Sequence, residues 1–209
     1  VTTDYTASAS SKNDGGTAAL TVKDDVDIDL SAINAGDGFT IDASVNTAAS
    51  NLTGSQLDDV ITGGAGADTL DGGSGDDLFI YDVGGDLAAD KLLDGGAGED
   101  TLRFDAAGAS IADSDFAAVA PDSLEVILLQ GDGNNGLTLA ASGDAATSGL
   151  TIIGSDQTTA LEGDVIDVGG MTEAVTVSAG AGDDQITGGA SGDTLEGEAG
   201  DDVFIYSDG

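Results

Sequence analysis

Several residue types are absent or scarce in this sequence of 209 residues: it has no cysteine, no histidine, no tryptophan, one proline, and four lysine and arginine residues in total. Without cysteine no disulfide framework can form, and without cysteine and histidine a zinc or copper site and the common nucleophile–base constellations are not expected. The shortage of basic residues argues against nucleic acid and anionic membranes as partners. No long apolar run predicts a membrane span. We therefore expect neither an enzyme nor a membrane-inserted protein.

Acidic residues dominate the charge of the chain. Forty Asp and Glu residues give a formal net charge of −36, and such self-repulsion opposes compaction. The apolar fraction is nevertheless 40 %, which is more than a disordered acidic chain needs. We therefore expect bound cations to neutralise the folded chain. Because carboxylate and carbonyl oxygens are the ligands on offer, the composition favours several hard cations, Ca²⁺ above all.

A nonapeptide of the form Gly-Gly-x-Gly-x-Asp-x-apolar-x recurs along the chain. Three consecutive copies fill residues 54–80, a fourth occupies 95–103, and three more fill 179–205. The sixth position holds Asp59, Asp68, Asp77, Asp100, Asp184, Asp193 and Asp202. The eighth position holds Ile61, Leu70, Phe79, Leu102, Ile186, Leu195 and Phe204.

A longer repeat lies above the nonapeptides. Residues 58–82 match 183–207 at an offset of 125 residues, with 17 identities in 25 positions, and the match extends weakly to tandem copies at 39–82 and 164–207. Gly163-Asp164-Val165-Ile166 also resembles part of the first nonapeptide, which adds Asp164 to the candidate positions. Because the chain begins and stops within a pattern, we expect it to be a piece of a longer tandem array.

The nonapeptides divide the chain into four segments. We predict a strand-rich segment at 1–53, a first repeat block at 54–104, a strand-rich connecting segment at 105–177 and a second block at 178–209. Alternating apolar and polar residues predict short strands. The strand candidates lie at 26–30, 39–41, 124–128, 150–152 and 175–177, and the best helix candidate lies at 113–119.

The nonapeptide has a chemical interpretation. Glycines permit positive φ angles and let backbone carbonyls converge, the Asp supplies a negative ligand, and the apolar residue two positions later points inward from a short strand. Ca²⁺ requires six to eight oxygens, so two loops must share each ion. A flexible acidic linker would not keep an apolar residue at every ninth position. Paired Asp residues could also serve glycoside hydrolysis, but these pairs recur as repeats and lack a unique catalytic feature.

These blocks resemble the RTX (repeats-in-toxin) nonapeptides of bacterial proteins exported by type I secretion. The resemblance implies an all-β fold, with right-handed parallel β-roll or β-solenoid blocks joined by strand-rich segments. In that family two nonapeptides form one turn, and Ca²⁺ lies between loops one turn apart.

The resemblance also implies particular ligands. At a spacing of 18 residues, Asp59 pairs with Asp77, Asp184 with Asp202, and Asp68 with Asp86 of a degenerate loop, while Asp100, Asp193 and Asp164 are further ligands without an assigned partner. The neighbouring Asp58, Asp76, Asp183 and Asp201 are interpreted as solvated surface charge. The predicted carbonyl ligands belong to Gly63, Gly64, Gly66, Gly72, Gly73, Gly75, Gly182, Gly188 and Gly200.

Two functions are consistent with this interpretation. The strand-rich segments resemble those of RTX-bearing S-layer proteins, so we expect a structural module of a large secreted bacterial surface protein, such as an S-layer, extracellular filament or matrix adhesin. Such a chain would stay unfolded in the cytosol, fold on binding Ca²⁺ outside the cell, and associate with itself or with further tandem repeats. The alternative is the C-terminal calcium-binding module of a secreted protease, lipase, epimerase or cytolysin.

Overall fold

The computed structural model describes residues 3–8, 11, 13–16, 18–82, 84–120, 123–131, 133–140, 149–154, 163–190 and 192–206. These residues form a parallel β-roll of short strands, numbered here β1–β19 in chain order. Successive strands alternate between one continuous nine-stranded sheet, the long sheet, and two five-stranded sheets, the first and second short sheets. The predicted all-β roll is thereby confirmed.

The long sheet contains every even-numbered strand. Its members are β2 (Ala18–Thr21), β4 (Phe39–Asp42), β6 (Val60–Thr62), β8 (Leu78–Tyr81), β10 (Thr101–Phe104), β12 (Val126–Leu129), β14 (Thr151–Ile153), β16 (Thr176–Ser178) and β18 (Thr194–Glu196).

The odd-numbered strands form the two short sheets. The first contains β1 (Tyr5–Thr6), β3 (Ile28–Asp29), β5 (Asn51–Thr53), β7 (Thr69–Ser74) and β9 (Leu92–Ala97). The second contains β11 (Ser110–Ile111), β13 (Gly136–Ala140), β15 (Val165–Gly170), β17 (Gln185–Gly188) and β19 (Val203–Tyr206).

Apolar side chains from equivalent positions stack along the inside of the roll. Parallel register places each inward-pointing residue beside its equivalent one turn later, and these residues form a single hydrophobic core cluster. In the long sheet the stack consists of Leu20, Ile41, Ile61, Phe79, Leu102, Ile127, Ile152, Val177 and Leu195. The eighth position of the nonapeptide therefore supplies the core, as its periodicity predicted.

Two short helices lie near the point where the chain passes from the first short sheet to the second. Helix α1 (Gly84–Leu87) lies between β8 and β9, and a 3₁₀ helix (Asp113–Ala118) follows β11. The helices contact each other and bury Leu87 and Phe116. The helix predicted at 113–119 is confirmed, and each predicted strand position contains a strand. No helix within the described ranges is long and apolar enough to cross a membrane.

The two tandem sequence copies lie on opposite sides of the roll. Strand β6 belongs to the long sheet, whereas its sequence equivalent β17 belongs to the second short sheet. In the described part of the chain ten strands lie between the two, an even number, so the second copy is shifted by half a turn. The nine-stranded sheet also runs through all four sequence segments, so both repeat blocks and the segments around them share one roll.

Candidate calcium-binding loops

Acidic side chains at the sixth position form ladders along the edges of the roll. In the first ladder, the backbone N–H of each member donates to a side-chain oxygen of its equivalent one turn later. The N–H of Asp59 lies 2.7 Å from Asp77 Oδ1, that of Asp77 2.8 Å from Asp100 Oδ1, and that of Asp100 2.8 Å from Glu125 Oε2. Each of these residues precedes a strand of the long sheet, so parallel strand pairing positions the ladder.

Three further ladders follow the same rule. In the second, Asp68 donates its N–H to Asp90 Oδ1 at 2.9 Å. The third ladder precedes strands of the second short sheet and contains Asn135, Asp164, Asp184 and Asp202. The N–H of each of the first three donates to Oδ1 of the next member, at 2.9, 2.6 and 3.0 Å. In the fourth, Asp193 Oδ1 accepts the N–H of Val175 at 3.1 Å.

In the part of the chain that the structure describes, three ladder carboxylates each have one oxygen without a hydrogen-bond partner. Among the described residues, Oδ2 of Asp68, Asp77 and Asp184 is buried without a hydrogen-bond partner. These residues are at most 2 % exposed. A buried, unpaired carboxylate oxygen is strongly unfavourable unless a cation or donor reaches it. The arrangement therefore indicates a ligand of positive charge.

Backbone carbonyl oxygens lie close to the carboxylate oxygens of the first ladder. A methyl group on Gly72 would lie 2.3 Å from Asp77 Oδ2 and 2.5 Å from the carbonyl oxygen of Gly95 in the next turn. One turn earlier, a methyl group on Gly54 would lie 2.7 Å from Asp59 Oδ2 and 2.2 Å from the Gly72 carbonyl oxygen. Carboxylate and carbonyl oxygens from two turns thus converge where glycine leaves room, and this donor set fits Ca²⁺.

Glycine is required in these loops for conformation as well as space. Gly73 and Gly75 adopt φ values of 103° and 114°, which residues with a side chain rarely adopt. Their carbonyl oxygens lie against the equivalent glycines of the next turn, Gly96 and Gly98. The carbonyl of Gly182 likewise lies against Gly200. The carbonyls of Gly73, Gly75 and Gly182 therefore lie against the next turn of the roll, and the role of the nine glycine carbonyls as calcium ligands stays a prediction.

Burial makes the charged form of these carboxylates unfavourable. It raises the pKa of Asp77 from 3.8 to about 8, an effect that neighbouring Asp59 and Asp100 add to and the Asp59 N–H opposes. Burial, with Glu125 nearby, raises the pKa of Asp100 to about 6. Burial also raises the pKa of Asp184. A bound divalent cation would reverse these shifts by favouring the ionised carboxylates.

The structure brings two of the three predicted pairs together. Asp59 lies beside Asp77, and Asp184 beside Asp202, at the expected spacing of 18 residues. The pairing of Asp68 with Asp86 is wrong, because Asp86 belongs to α1 and Asp68 contacts Asp90 instead. The α1 insertion lengthens this turn to 22 residues, a change that a fixed spacing does not anticipate.

Three ladder members were not among the predicted ligands. Asp90 follows the α1 insertion, and its Oδ2 accepts a buried hydrogen bond from the Tyr81 hydroxyl. Burial raises the pKa of Asp90 to about 7, and this hydrogen bond opposes the shift. Glu125 is not preceded by a glycine-rich loop, so it carries no sequence signal. Asn135 does carry one, since Gly131-x-Gly133-x-Asn135-x-Leu137 is a nonapeptide with Asn in place of Asp.

The residues that precede the ladder positions form an exposed outer row. Asp58 Oδ1 accepts the N–H of Asp76 at 2.9 Å, and Asp183 Oδ1 accepts that of Asp201 at 2.9 Å. These side chains bind the turn that follows them, the reverse of the inner ladders. Within the described ranges no three acidic side chains gather into one cluster, so a cation in these loops needs backbone carbonyl ligands.

Comparison with protein families identifies the repeats. A family model described as the RTX calcium-binding nonapeptide repeat, in four copies, matches residues 53–88 and 176–209. The chain carries RTX calcium-binding repeats. Neither the curated proteins nor the solved structures that were searched gave a match to it.

The RTX match covers only part of the ladders. It includes Asp59, Asp68 and Asp77 in the first segment and Asp184, Asp193 and Asp202 in the second. Asp100 and Asp164 lie outside the matched segments and stay predicted ligands. The RTX segments establish calcium-binding repeats, and the individual ligands and the number of ions stay predictions.

Proposed function

We propose that this chain is a calcium-dependent structural module of a large secreted bacterial surface protein, such as an S-layer, an extracellular filament or a matrix adhesin. The continuity of the long sheet is the observation that carries the proposal. Nine strands from β2 to β18 run through both RTX segments and the segment between them. A solenoid of this kind extends in one dimension, and each turn contacts only its neighbours, which suits a spacer or lattice element.

Calcium controls the folding of this module. The unfolded chain offers no preformed site, so the free energy of calcium binding becomes free energy of folding. Weak extracellular-type sites have dissociation constants on the order of 10⁻⁴–10⁻³ M. At cytosolic calcium the buried carboxylates and the net charge of −36 oppose folding, whereas at extracellular calcium the ions stabilise the roll. The chain is exported unfolded and folds outside the cell.

No catalytic role is assigned to the chain. Its most buried carboxylates bind backbone N–H groups of neighbouring turns, which suits a repeated structural role. The module acts through Ca²⁺ and through association with copies of itself or with further repeats.

Electron microscopy and sedimentation of the purified chain test this proposal, in millimolar Ca²⁺ and in excess chelator. Calcium-dependent filaments or sheets that dissolve on chelation support it. Particles that stay single at every protein concentration in Ca²⁺ contradict the self-assembling role. They favour the alternative, in which the RTX module serves the folding and secretion of an attached enzyme or toxin.

A further inference from the structure

Asn135 occupies the ladder position of a loop outside the RTX match. In this loop Gly133 adopts a φ of 114°, the value found at Gly75 in the equivalent position of an RTX loop. Leu137, two residues after Asn135, is fully buried like Ile61, Phe79 and most other eighth-position residues. The loop before β13 is therefore an RTX-type loop in its backbone geometry, with an amide at the position of the acid.

Among the described residues, the Asn135 side chain hydrogen-bonds to backbone groups on both sides. Its Oδ1 accepts the N–H of Ala109 at 3.0 Å, the contact to the preceding turn that a ladder Asp makes. Its Nδ2 donates to the carbonyl oxygen of Gly131, in its own loop, at 2.9 Å. Because one side-chain atom accepts from an N–H and the other donates to a C=O, the network fixes the orientation of the amide. The residue is 1 % exposed.

Asp77 differs from Asn135 at one side-chain atom, whereas Oδ2 of Asp59 and Oδ2 of Asp193 each accept a backbone N–H of their own loop. Asp77 Oδ1 accepts the N–H of Asp59, but Oδ2 of Asp77 has no hydrogen-bond partner in the described part of the chain. Asp77 Oδ2 and the Gly95 carbonyl oxygen lie around the same point beside Gly72, and because a carboxylate oxygen cannot donate to a carbonyl, the two repel unless a cation lies between them. In Asn135 the uncharged amide donor satisfies the carbonyl directly.

We propose that the loop containing Asn135 binds no Ca²⁺, because its amide Nδ2 donates to the loop carbonyl oxygen that would otherwise need an ion. Strand β13 then folds at calcium concentrations too low for the RTX turns to fold. The proposal rests on the calcium-dependent folding proposed above for the RTX turns. It divides the roll into calcium-requiring turns at the RTX segments and a calcium-independent turn between them.

The loop on the other side of β12 has a similar feature. The Ser123 hydroxyl donates to the carbonyl oxygen of Ala120 at 2.9 Å, and Ser123 is 3 % exposed. Each loop that flanks β12 therefore satisfies a backbone carbonyl with a side-chain donor of the chain itself. Calcium-free folding of this turn would give the RTX turns a formed edge on which to assemble.

Hydrogen exchange measured by mass spectrometry on the whole chain tests the proposal. The substitutions are Asn135→Asp and the matched control Asn134→Asp, which adds the same charge at the neighbouring, exposed position. In the unsubstituted chain we expect peptides from 133–140 to stay protected in chelator, whereas peptides from 59–62 and 77–81 lose protection. Asn135→Asp should lose protection at 133–140 in chelator and regain it in millimolar Ca²⁺, and Asn134→Asp should behave like the unsubstituted chain.

Three results would overturn the proposal: loss of protection at 133–140 in the unsubstituted chain in chelator, protection of the Asn135→Asp variant in chelator, and loss in that variant that Ca²⁺ does not restore. Failure of the proposed function has a different signature. If peptides 59–62 and 77–81 stay protected in chelator, the RTX turns do not need calcium, whatever the two Asn variants show.

Discussion

Replacing Asp77 by Asn should destabilise the calcium-loaded protein and leave the calcium-free protein unchanged or slightly more stable. The substitution keeps Oδ1 as acceptor for the Asp59 N–H, which lies 2.7 Å away. It replaces the unpartnered Oδ2 by an amide donor close to the carbonyl oxygen of Gly95. The variant thus places an amide donor in an RTX loop, as Asn135 does, but beside a carbonyl of the next turn instead of one in its own loop.

The magnitude follows from the lost site and the gained donor. A site with a dissociation constant of about 10⁻⁴ M, in about 10 mM Ca²⁺, contributes about 2.7 kcal/mol to the folded state. Asp77→Asn should therefore lower the free energy of unfolding by about 2–3 kcal/mol in calcium, the lost binding less the gain from the new donor. In chelator no ion is lost, and the new hydrogen bond should leave the variant unchanged or about 1 kcal/mol more stable.

Urea unfolding followed by far-UV circular dichroism measures both effects, and the amplitude of the β signal in chelator reports the calcium-free state. The control is Asp76→Asn, which removes the same charge from an exposed side chain and should change stability by less than about 0.5 kcal/mol. An equal loss of stability for Asp77→Asn with and without calcium would refute the reasoning. That result would make Asp77 a purely structural acceptor.

Three other measurements probe the same loops. Gly72→Ala places a methyl group 2.3 Å from Asp77 Oδ2 and should lower the calcium-dependent stabilisation seen in urea unfolding. In the control Gly136→Ala the added methyl group meets no atom of the described residues within 4 Å, so this variant should bind calcium normally. Tyr81→Phe removes the buried hydroxyl that donates to Asp90 and should lower the free energy of unfolding by about 1–3 kcal/mol; unchanged urea midpoints would contradict this. The pKa of Asp77, raised to about 8, means that this carboxyl stabilises the metal-free fold below its unfolded pKa of 3.8 and that this contribution is lost as pH rises through about 8. In chelator, lowering the pH from about 8 towards 4 should therefore raise the β signal of the calcium-free chain, and far-UV circular dichroism that shows no rise would contradict it.

The RTX ligand pairs could be predicted because their spacing is local. Between Asp59 and Asp77 the chain contains two unbroken nonapeptides, and each contributes one loop and one strand. Asp68 has no such neighbour, since α1 adds residues before Asp90. The sequence pattern does not show how many residues an insertion adds to a turn. A fixed spacing of 18 residues therefore paired Asp68 with Asp86 instead of Asp90.

The continuation of the roll between the RTX segments was harder to predict. Its turns are 23–29 residues long at Asp100, Glu125, Asn135 and Asp164. The loop before Glu125 has no glycine signature, and Asn135 replaces the acid that marks the nonapeptide, so neither position could be recognised from the pattern. The apolar strand residues still predicted strands there, but not the sheets they join or the half-turn shift of the second copy.

Circular dichroism of the unsubstituted chain during a calcium titration, started in excess chelator, tests the central claim most directly. We expect little β signal in chelator and its recovery as Ca²⁺ rises through the range of about 10⁻⁴–10⁻³ M, with Mg²⁺ at equal concentration as the control for charge screening. A chelated sample that keeps its full β signal, or a recovery that Mg²⁺ produces equally well, would contradict the account.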